Sequence, residues 1–219
     1  MLDVADLRVT IKGSEVLRNV TLHVPEGFFA VLVGRNGAGK TTLMRTLIGL
    51  QRAQSGRISI GHEDTTHAPA HIHAARGVGY MPEDRRLIPH WTVEQNILLP
   101  LWVSRDSKAD QALEDVYAMI PELVEHRRRK ALQLSGGQQK LVALARAIVC
   151  GSRLILLDEP FEGVAPALTE RLGDVLADLK KRKGLTVLIA ESDLIRSVDL
   201  FNDVFEIERG VVRKVKSPG

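Results

Sequence analysis

The chain has 219 residues, of which 44% are hydrophobic and 26% are charged, and its formal net charge is +3. These values describe a globular chain that can bury a core as one domain, or as one domain with an inserted lobe. The basic residues are spread along the chain except at His126–Lys130, and no aromatic residues are interleaved with them, so nucleic acid is not an expected partner.

Two segments near the N-terminus alternate apolar and polar residues. Asp3–Ile11 and Val16–Val24 show this pattern and are separated by Lys12–Ser14, which predicts two antiparallel strands joined by a turn. The next apolar run, GFFAVLVG, is nearly continuous and predicts a strand buried on both faces. Early acids and the lack of a long apolar stretch argue against a signal peptide, and the apolar runs are too short to span a bilayer.

The rest of the chain alternates between strand and helix patterns. KTTLMRTLIGL predicts a helix that is stopped by Gly49, and GRISIG and GVGYM predict short strands. From about Val93 to Ile148 the periodicity is helical, with amphipathic helices expected at KADQALEDVYAMI and GGQQKLVALARAIV. RLILLDEP and LTVLIA predict buried strands on either side of the helix APALTERLGDVLADLKKRKG, and VFEIERGVVRKV predicts a closing hairpin that turns at Arg209-Gly210.

This order of elements predicts an α/β fold with a mainly parallel sheet. The antiparallel strands at the N-terminus form a separate β part. Residues 1–92 and 149–219 are expected to form the core, with a helical subdomain at about 93–148 inserted between two of its strands. The whole of residues 1–219 is thus expected to be one domain.

A glycine-rich loop directly follows the first buried strand and opens a helix. It has the pattern Gly34-x4-Gly39-Lys40-Thr41, which in this context predicts a phosphate-binding loop rather than a glycine turn with a chance lysine. Lys40 is expected to reach the β- and γ-phosphates of a nucleotide, and the hydroxyl of Thr41 to ligate Mg²⁺. The expected contacts to the nucleotide come from Gly34, Arg35, Asn36, Gly37, Ala38, Gly39, Lys40, Thr41 and Thr42.

Two acids end a second buried strand. In LILLDEP, Asp158 and Glu159 stand at the carboxyl end of the strand, which in a parallel sheet lies at the ligand-binding edge beside the phosphate loop. Asp158 is expected to help hold Mg²⁺ and Glu159 to polarise the attacking water. The alternative is a pair of acids that caps the next helix.

A second anion-binding turn lies in the helical segment. Ser135-Gly136-Gly137-Gln138, here called the signature turn, opens a helix and can hold a γ-phosphate through its hydroxyl and its N–H groups. One nucleotide does not need two such loops from one chain. The sequence therefore predicts two chains packed head to tail, with the signature turn of each closing over the nucleotide of the other; a simple helix cap is the alternative.

Together the phosphate loop, LSGGQ and LILLDEP resemble the ATPase subunit of an ABC transporter, over essentially the whole chain. GRNGAGKTT, GYMPEDRRLIPHWTVEQNI and DEPFEGVAP resemble an ATPase subunit of branched-chain amino acid importers and their amide or urea relatives, although PEDRR also occurs in sugar-importer ATPases. The resemblance implies a P-loop NTPase (RecA-like) core, ATP and Mg²⁺ as cofactors, hydrolysis coupled to transport, and a permease partner. It also implies a peripheral location at the cytoplasmic face of the membrane.

Four positions depart from the pattern of the family. Glu83 stands where the family's flexible loop carries a glutamine that meets Mg²⁺ and water, and Ser192 stands where a histidine usually contacts the γ-phosphate. Ile11 replaces the aromatic residue that stacks on adenine, and Ala165 replaces an aspartate. These departures favour a heterodimer with a second ATPase chain over a homodimer. They also leave open a regulatory module that dimerises on ATP but hydrolyses little.

Two further features have less weight. The stretch GHEDTTHAPAHIHAAR holds four histidines, which could bind zinc but are expected to lie in a polar surface loop. Cys150 is the only cysteine, so no intramolecular disulfide can form, and it is expected to be a small core residue.

Overall fold

A computed structural model describes residues 1–104, 109–182, 184–193 and 200–215. Within these ranges the helices are α1 (Lys40–Leu47), α2 (Ala70–Ala75), α3 (Val93–Ser104), α4 (Ala109–Met119), α5 (Glu122–His126), α6 (Gly136–Cys150) and α7 (Pro166–Lys180). The strands in the same ranges are β1 (Leu2–Ile11), β2 (Ser14–Val24), β3 (Phe29–Val33), β4 (Ser55–Ile60), β5 (Glu63–Asp64), β6 (Val78–Met81), β7 (Leu154–Asp158), β8 (Thr186–Glu191), β9 (Asp203–Glu208) and β10 (Val211–Val215).

A six-stranded sheet in the order β10-β9-β3-β8-β7-β6 forms the centre of the molecule. All its neighbours are parallel except β10, which closes a hairpin with β9 at one edge. The central strands β3, β7 and β8 are continuous apolar runs because both faces of the sheet are covered. The predicted parallel sheet and the turn at Arg209-Gly210 are confirmed.

The N-terminal strands form a separate antiparallel sheet in the order β2-β1-β4-β5. β1 pairs with β2 in the register Leu2↔Val24, which confirms the predicted hairpin. One hydrophobic cluster, which includes Leu32 and Leu156, lies between this sheet, α1 and one face of the central sheet. A second cluster lies between the other face of the central sheet and the helices α3–α7. Successive residues of β3, such as Val31 and Leu32, enter opposite clusters because side chains alternate along a strand.

The helices α3 to α6 lie between β6 and β7 in the chain, although these two strands are hydrogen-bonded neighbours. α6 packs on β6 and α3, and its buried face includes Val142, Leu144 and Ile148. The helices predicted individually are observed as α1, α4, α6 and α7. Residue 108 of the predicted helix 108–120 and residue 183 of the predicted helix 165–184 lie outside the described residues. The subdomain boundary at about 93–148 stays a prediction.

The histidine-containing stretch lies at the surface as predicted, with His62, His67 and His71 exposed, but it is not a loop. It forms the short strand β5 and the helix α2, and His73 on α2 is 1% exposed. His126–Lys130 begins at the last residue of α5, and its arginines and lysine are exposed as expected. Cys150 ends α6 half-buried, and its burial raises the pKa of the thiol to about 11. Of the helices that the structure describes, none has both the length and the apolarity to cross a membrane.

Candidate active site

The phosphate loop is Gly34–Thr42, between β3 and the first turn of α1. Gly37 and Gly39 have φ of 82° and 114°, which side chains rarely tolerate. A Cβ atom at Gly34 would lie 2.4 Å from the carbonyl oxygen of Ile207, so only glycine fits there. Gly39 caps α1 without a side-chain hydrogen bond, which leaves the N–H groups of the first turn available to an anion.

Lys40 is buried at the start of α1, and its ammonium is surrounded by oxygens. It donates to the carbonyl of Gly34 and to that of Arg35 at 3.3 Å, and it lies 3.0 Å from Oε1 of Glu159. A buried ammonium is stable only with such partners. The loop therefore holds a fixed positive charge at the point where phosphates would lie.

Asp158 ends β7 directly beside α1. Its Oδ1 accepts from the hydroxyl of Thr41 at 3.2 Å, and its Oδ2 accepts from the hydroxyl of Tyr80 at 3.4 Å. Burial raises the pKa of Asp158 to about 6, although both hydrogen bonds act in the opposite direction. A hydroxyl and a carboxylate in contact match the oxygen ligands with which Mg²⁺ is held beside substrate phosphates, so these residues fit the metal.

Glu159 follows β7 in a left-handed conformation, with φ of 50°. Ser192, just after the adjacent strand β8, lies 3.2 Å from both carboxylate oxygens of Glu159 and 2.8 Å from Oδ1 of Asn36. It also accepts from Lys40 at 3.3 Å. Because the hydroxyl has one proton, it can donate to only one of these oxygens at a time.

An open cavity of about 480 Å³ lies beside Lys40, Thr41 and Glu159. Glu83, in the loop Pro82–Arg86, is exposed and is one of the residues that line this cavity. The lining residues are Val16, Asn36, Gly37, Gly39, Lys40, Thr41, Thr42, Glu83 and Glu159. Gly34, Arg35 and Ala38 line a neighbouring cavity of about 550 Å³ that also reaches Ser192.

None of the residues of the signature turn lines either cavity. Ser135 caps α6 by accepting from the N–H of Gln138 at 3.3 Å, and the side chain of Gln138 accepts from the N–H of Ser135 at 2.9 Å. The amide of Gln138 is also 2.8 Å from Nε2 of His126. Ser135 and Gly136 are exposed, so the turn is preformed and open to a molecule outside this chain.

The remaining departures from the family pattern lie at the periphery of this arrangement. Ile11 is half-buried at the end of β1 and does not line the cavity. Ala165 occupies the N-cap of α7 and, as alanine, makes no side-chain cap there.

The sequence analysis did not identify three residues that lie near the site. Tyr80, in the short strand β6, donates to Asp158, whereas Lys140 and Glu191 are buried beside the backbone that follows Glu159. A signal was present for the last two, because each is a charged residue within an otherwise apolar helix face or strand. A zinc site has no support within the part of the chain that the structure describes, since no three His, Cys, Asp or Glu side chains there could hold a metal together.

Comparisons with known proteins agree with this geometry. A family model described as ABC transporter matches residues 17–162. The lipopolysaccharide export system ATP-binding protein LptB of Haemophilus influenzae is 33% identical over all of this chain and 91% of its own length. The high-affinity branched-chain amino acid transport ATP-binding protein BraG of Pseudomonas aeruginosa is 31% identical over 90% of this chain and 84% of its own. The aliphatic sulfonates import ATP-binding protein SsuB 2 of Agrobacterium fabrum is 36% identical over 96% of this chain and 77% of its own length.

Solved structures give the same result. The dimeric structure of a bacterial ABC transporter cassette has a TM-score of 0.89 and 25% identity, and each chain covers 100% of the other. A post-hydrolysis dimer of that cassette, bound to ADP and Pi, has the same TM-score, identity and coverage. These matches show that the chain belongs to the ABC transporter family, as an ATP-binding motor subunit that hydrolyses ATP and uses Mg²⁺ as its cofactor.

Proposed function

We propose that this motor subunit drives an importer for branched-chain amino acids or a related small solute. The observation that carries the catalytic part is the convergence of Lys40, Thr41, Glu83 and Glu159 on one cavity, with Asp158 bound to Thr41. The amino acid part is supported by the similarity to BraG over 90% of the chain. The similarity to LptB and SsuB 2 makes lipopolysaccharide and sulfonates the competing substrates.

Each residue has a specific role in this proposal. The phosphate loop and Lys40 bind the phosphates, and Thr41 and Asp158 would hold Mg²⁺, which would supply positive charge to offset that of the phosphates. Glu159 accepts a hydrogen bond from the attacking water and orients it towards the γ-phosphate. Glu83, which lines the same cavity, would accept a hydrogen bond from water beside the metal. Ser192 donates a hydrogen bond near the γ-phosphate, more weakly than a charged side chain would.

The signature turn acts on the nucleotide of a second chain. It is exposed, preformed and absent from the lining of its own chain's cavity, which suits a head-to-tail dimer. We infer a heterodimer, because Ile11, Ala165 and Ser192 leave this chain's site without several of the family's usual groups. Closure of the dimer is a shift towards the state that binds ATP better. The Pro82–Arg86 loop and the helical subdomain would pass this movement to a permease at the cytoplasmic face of the membrane.

A regulatory module that binds ATP but turns it over slowly is the second candidate. Ser192 is the observation in its favour, since serine has no positive charge with which to stabilise the transition state. Buried and positioned Glu159 favours hydrolysis.

The substrate is tested by uptake into cells that lack this chain. Uptake of labelled leucine should be lost and should return with the wild-type chain but not with Lys40→Ala, which removes the ammonium from the phosphate loop. Intact leucine uptake together with loss of alkanesulfonate uptake would move the substrate to the sulfonate class. Lipopolysaccharide accumulation at the inner membrane, with normal uptake of both solutes, would instead make the protein an export motor.

A further inference from the structure

A buried lysine connects the signature helix to the segment that follows the proposed base. Lys140 lies on α6, two residues beyond the signature turn, and is only 7% exposed. Its ammonium donates to the backbone carbonyl of Glu159 at 3.0 Å and to that of Glu162. The ammonium thus binds the backbone at both ends of the turn Glu159–Glu162.

A buried glutamate holds the same turn from the other side. Glu191, the last residue of β8, is 5% exposed, and its Oε1 accepts from the N–H of Phe161 at 2.9 Å. The N–H of Glu159 donates to the carbonyl of Ala190 at 2.9 Å. Because Glu159 has a left-handed backbone, which costs a residue with a Cβ atom free energy, this turn keeps its shape only where its surroundings impose it.

The charges of the two residues are consistent with this arrangement. Burial lowers the pKa of Lys140, whereas the nearby carboxylates of Glu191 and Glu162 act to raise it. Burial also raises the pKa of Glu191 to about 7. Buried charged side chains are expensive unless they are paired and hydrogen-bonded. Neither Lys140 nor Glu191 lines the nucleotide cavity, so contact with the nucleotide does not account for them.

We propose that Lys140 and Glu191 are positioning residues that shape the Glu159–Glu162 turn and couple the signature turn of this chain to its own base. The proposal rests on the proposed function, in which Glu159 orients water and the signature turn binds the nucleotide of the partner subunit. It adds a physical connection between the two sites of the dimer.

The connection runs through one rigid element. α6 is a continuous helix of 15 residues whose first turn presents Gly136 and Gly137, and Lys140 lies little more than one turn further on. When the signature turn docks on the other nucleotide, α6 moves as a unit and Lys140 moves with it. The carbonyls of Glu159 and Glu162 follow, which aligns the carboxylate of Glu159 only in the closed dimer.

The test compares turnover with nucleotide affinity in the assembled transporter. Lys140→Met keeps the length of the side chain and removes the donor, so kcat for ATP should fall about 10- to 100-fold, as small misplacements of a catalytic group do. The equilibrium affinity for Mg²⁺-ATP should stay within about twofold, because no nucleotide contact is lost. Lys140→Arg, which can still donate to two carbonyls, should recover most of kcat, and Glu191→Leu, which removes the acceptor for Phe161, should lower kcat with the same unchanged affinity.

The matched control is Lys181→Met, at an exposed lysine that pairs with Asp178 at the end of α7; it should match the wild type. Wild-type kcat in both Lys140→Met and Glu191→Leu would overturn the proposal, as would a loss of ATP affinity equal to the loss of kcat. Unrestored kcat in Lys140→Arg, at a wild-type melting temperature, would also contradict it. Glu159→Gln distinguishes failure of this proposal from failure of the proposed function. If this variant keeps wild-type turnover, the role of Glu159 in the proposed function is wrong, whatever the Lys140 variants do.

Discussion

The ammonium of Lys40 lies 3.0 Å from Oε1 of Glu159, and the two side chains are 3% and 5% exposed. The proposed phosphate ligand and the proposed base therefore form a buried ion pair. ATP has to take Lys40 from this pair, after which the carboxylate of Glu159 is free to meet water. Removal of one partner from a buried pair leaves an uncompensated charge. A substitution of either residue therefore also changes the electrostatic surroundings of the other.

Glu159→Gln should stop hydrolysis and keep ATP bound. The amide cannot act as a base, so kcat should fall by about 10²- to 10⁴-fold, while Lys40 becomes available to the phosphates and the affinity for ATP should not fall. Rates of phosphate release and calorimetric titration with Mg²⁺-ATP measure the two effects. Glu170→Gln, on the exposed side of α7, is the control; turnover in Glu159→Gln equal to that of this control would remove Glu159 as the base.

The same variant tests the composition of the dimer, because an ATP-bound closed form accumulates when hydrolysis stops. In the heterodimer proposal, Glu159→Gln alone should bind Mg²⁺-ATP and remain at the mass of one chain, 24.2 kDa. Light scattering after size separation gives this mass directly. A doubling of the mass on addition of Mg²⁺-ATP would show that the chain closes on itself and would support a homodimer.

Ser135→Asp separates the capping role of Ser135 from its proposed role at a phosphate. Aspartate caps helices as well as serine does, so the melting temperature should stay close to that of the wild type. Its negative charge would face the γ-phosphate of the partner's nucleotide, so turnover of the assembled complex should fall by about tenfold or more, while ATP binding by the chain alone is unchanged.

Ser135→Asn is the neutral control for this experiment, since it also keeps the cap. It should retain more turnover than Ser135→Asp. Full turnover of the complex that carries Ser135→Asp would be incompatible with the head-to-tail arrangement.

Ser192→His should increase the rate of hydrolysis. Serine reaches Glu159 and Asn36 but has no charge, whereas histidine is longer and can donate to developing negative charge, so kcat should rise by about tenfold. The cavity of about 550 Å³ beside Ser192 has room for the imidazole ring. Steady-state ATPase assays of the complex measure the change. Ser192→Ala should be no faster than the wild type, and an equal rate in the histidine variant would show that this position does not limit turnover.

Glu191 should make the stability of the fold depend on pH. Its pKa in the folded chain is raised to about 7 from the ordinary value of 4.5, chiefly by burial. Between these two values the folded state binds more protons than the unfolded state, so the contribution of Glu191 to stability is present below about pH 4.5 and is lost as the pH rises to about 7. The loss is on the order of 3 kcal/mol.

Glu191→Gln isolates this effect because the amide stays neutral at all pH values. Relative to the wild type, its free energy of unfolding should rise by about that amount between about pH 4 and about pH 8, as measured by urea denaturation at each pH. The contributions of all other titratable groups cancel when the free energy of unfolding of the wild type is subtracted from that of the variant. A difference between the two proteins that does not change with pH would mean that burial does not perturb this carboxyl group.

Local patterns were sufficient to predict most of the residues that line the candidate site. The phosphate loop and the pair Asp158-Glu159 each follow a continuous apolar strand, and the carboxyl ends of parallel strands meet at one edge of a sheet. Lys40, Thr41, Asp158 and Glu159 therefore had to lie together once the two strands belonged to the same sheet. The short helix α2 was missed because six residues of mixed polarity carry little periodicity.

By itself, the sequence determined the order of the longer strands and helices, the phosphate loop, the acidic strand end and the signature turn, because each depends on neighbours within a few residues. Only the tertiary structure decided which side chains support them. Tyr80 reaches Asp158, Lys140 reaches the backbone of Glu159, and Glu191 reaches Phe161 across separations of 78, 19 and 30 residues. The physical reason is that a buried polar group must find a partner in space, and packing of the whole chain, not the local pattern, determines which partner is within reach.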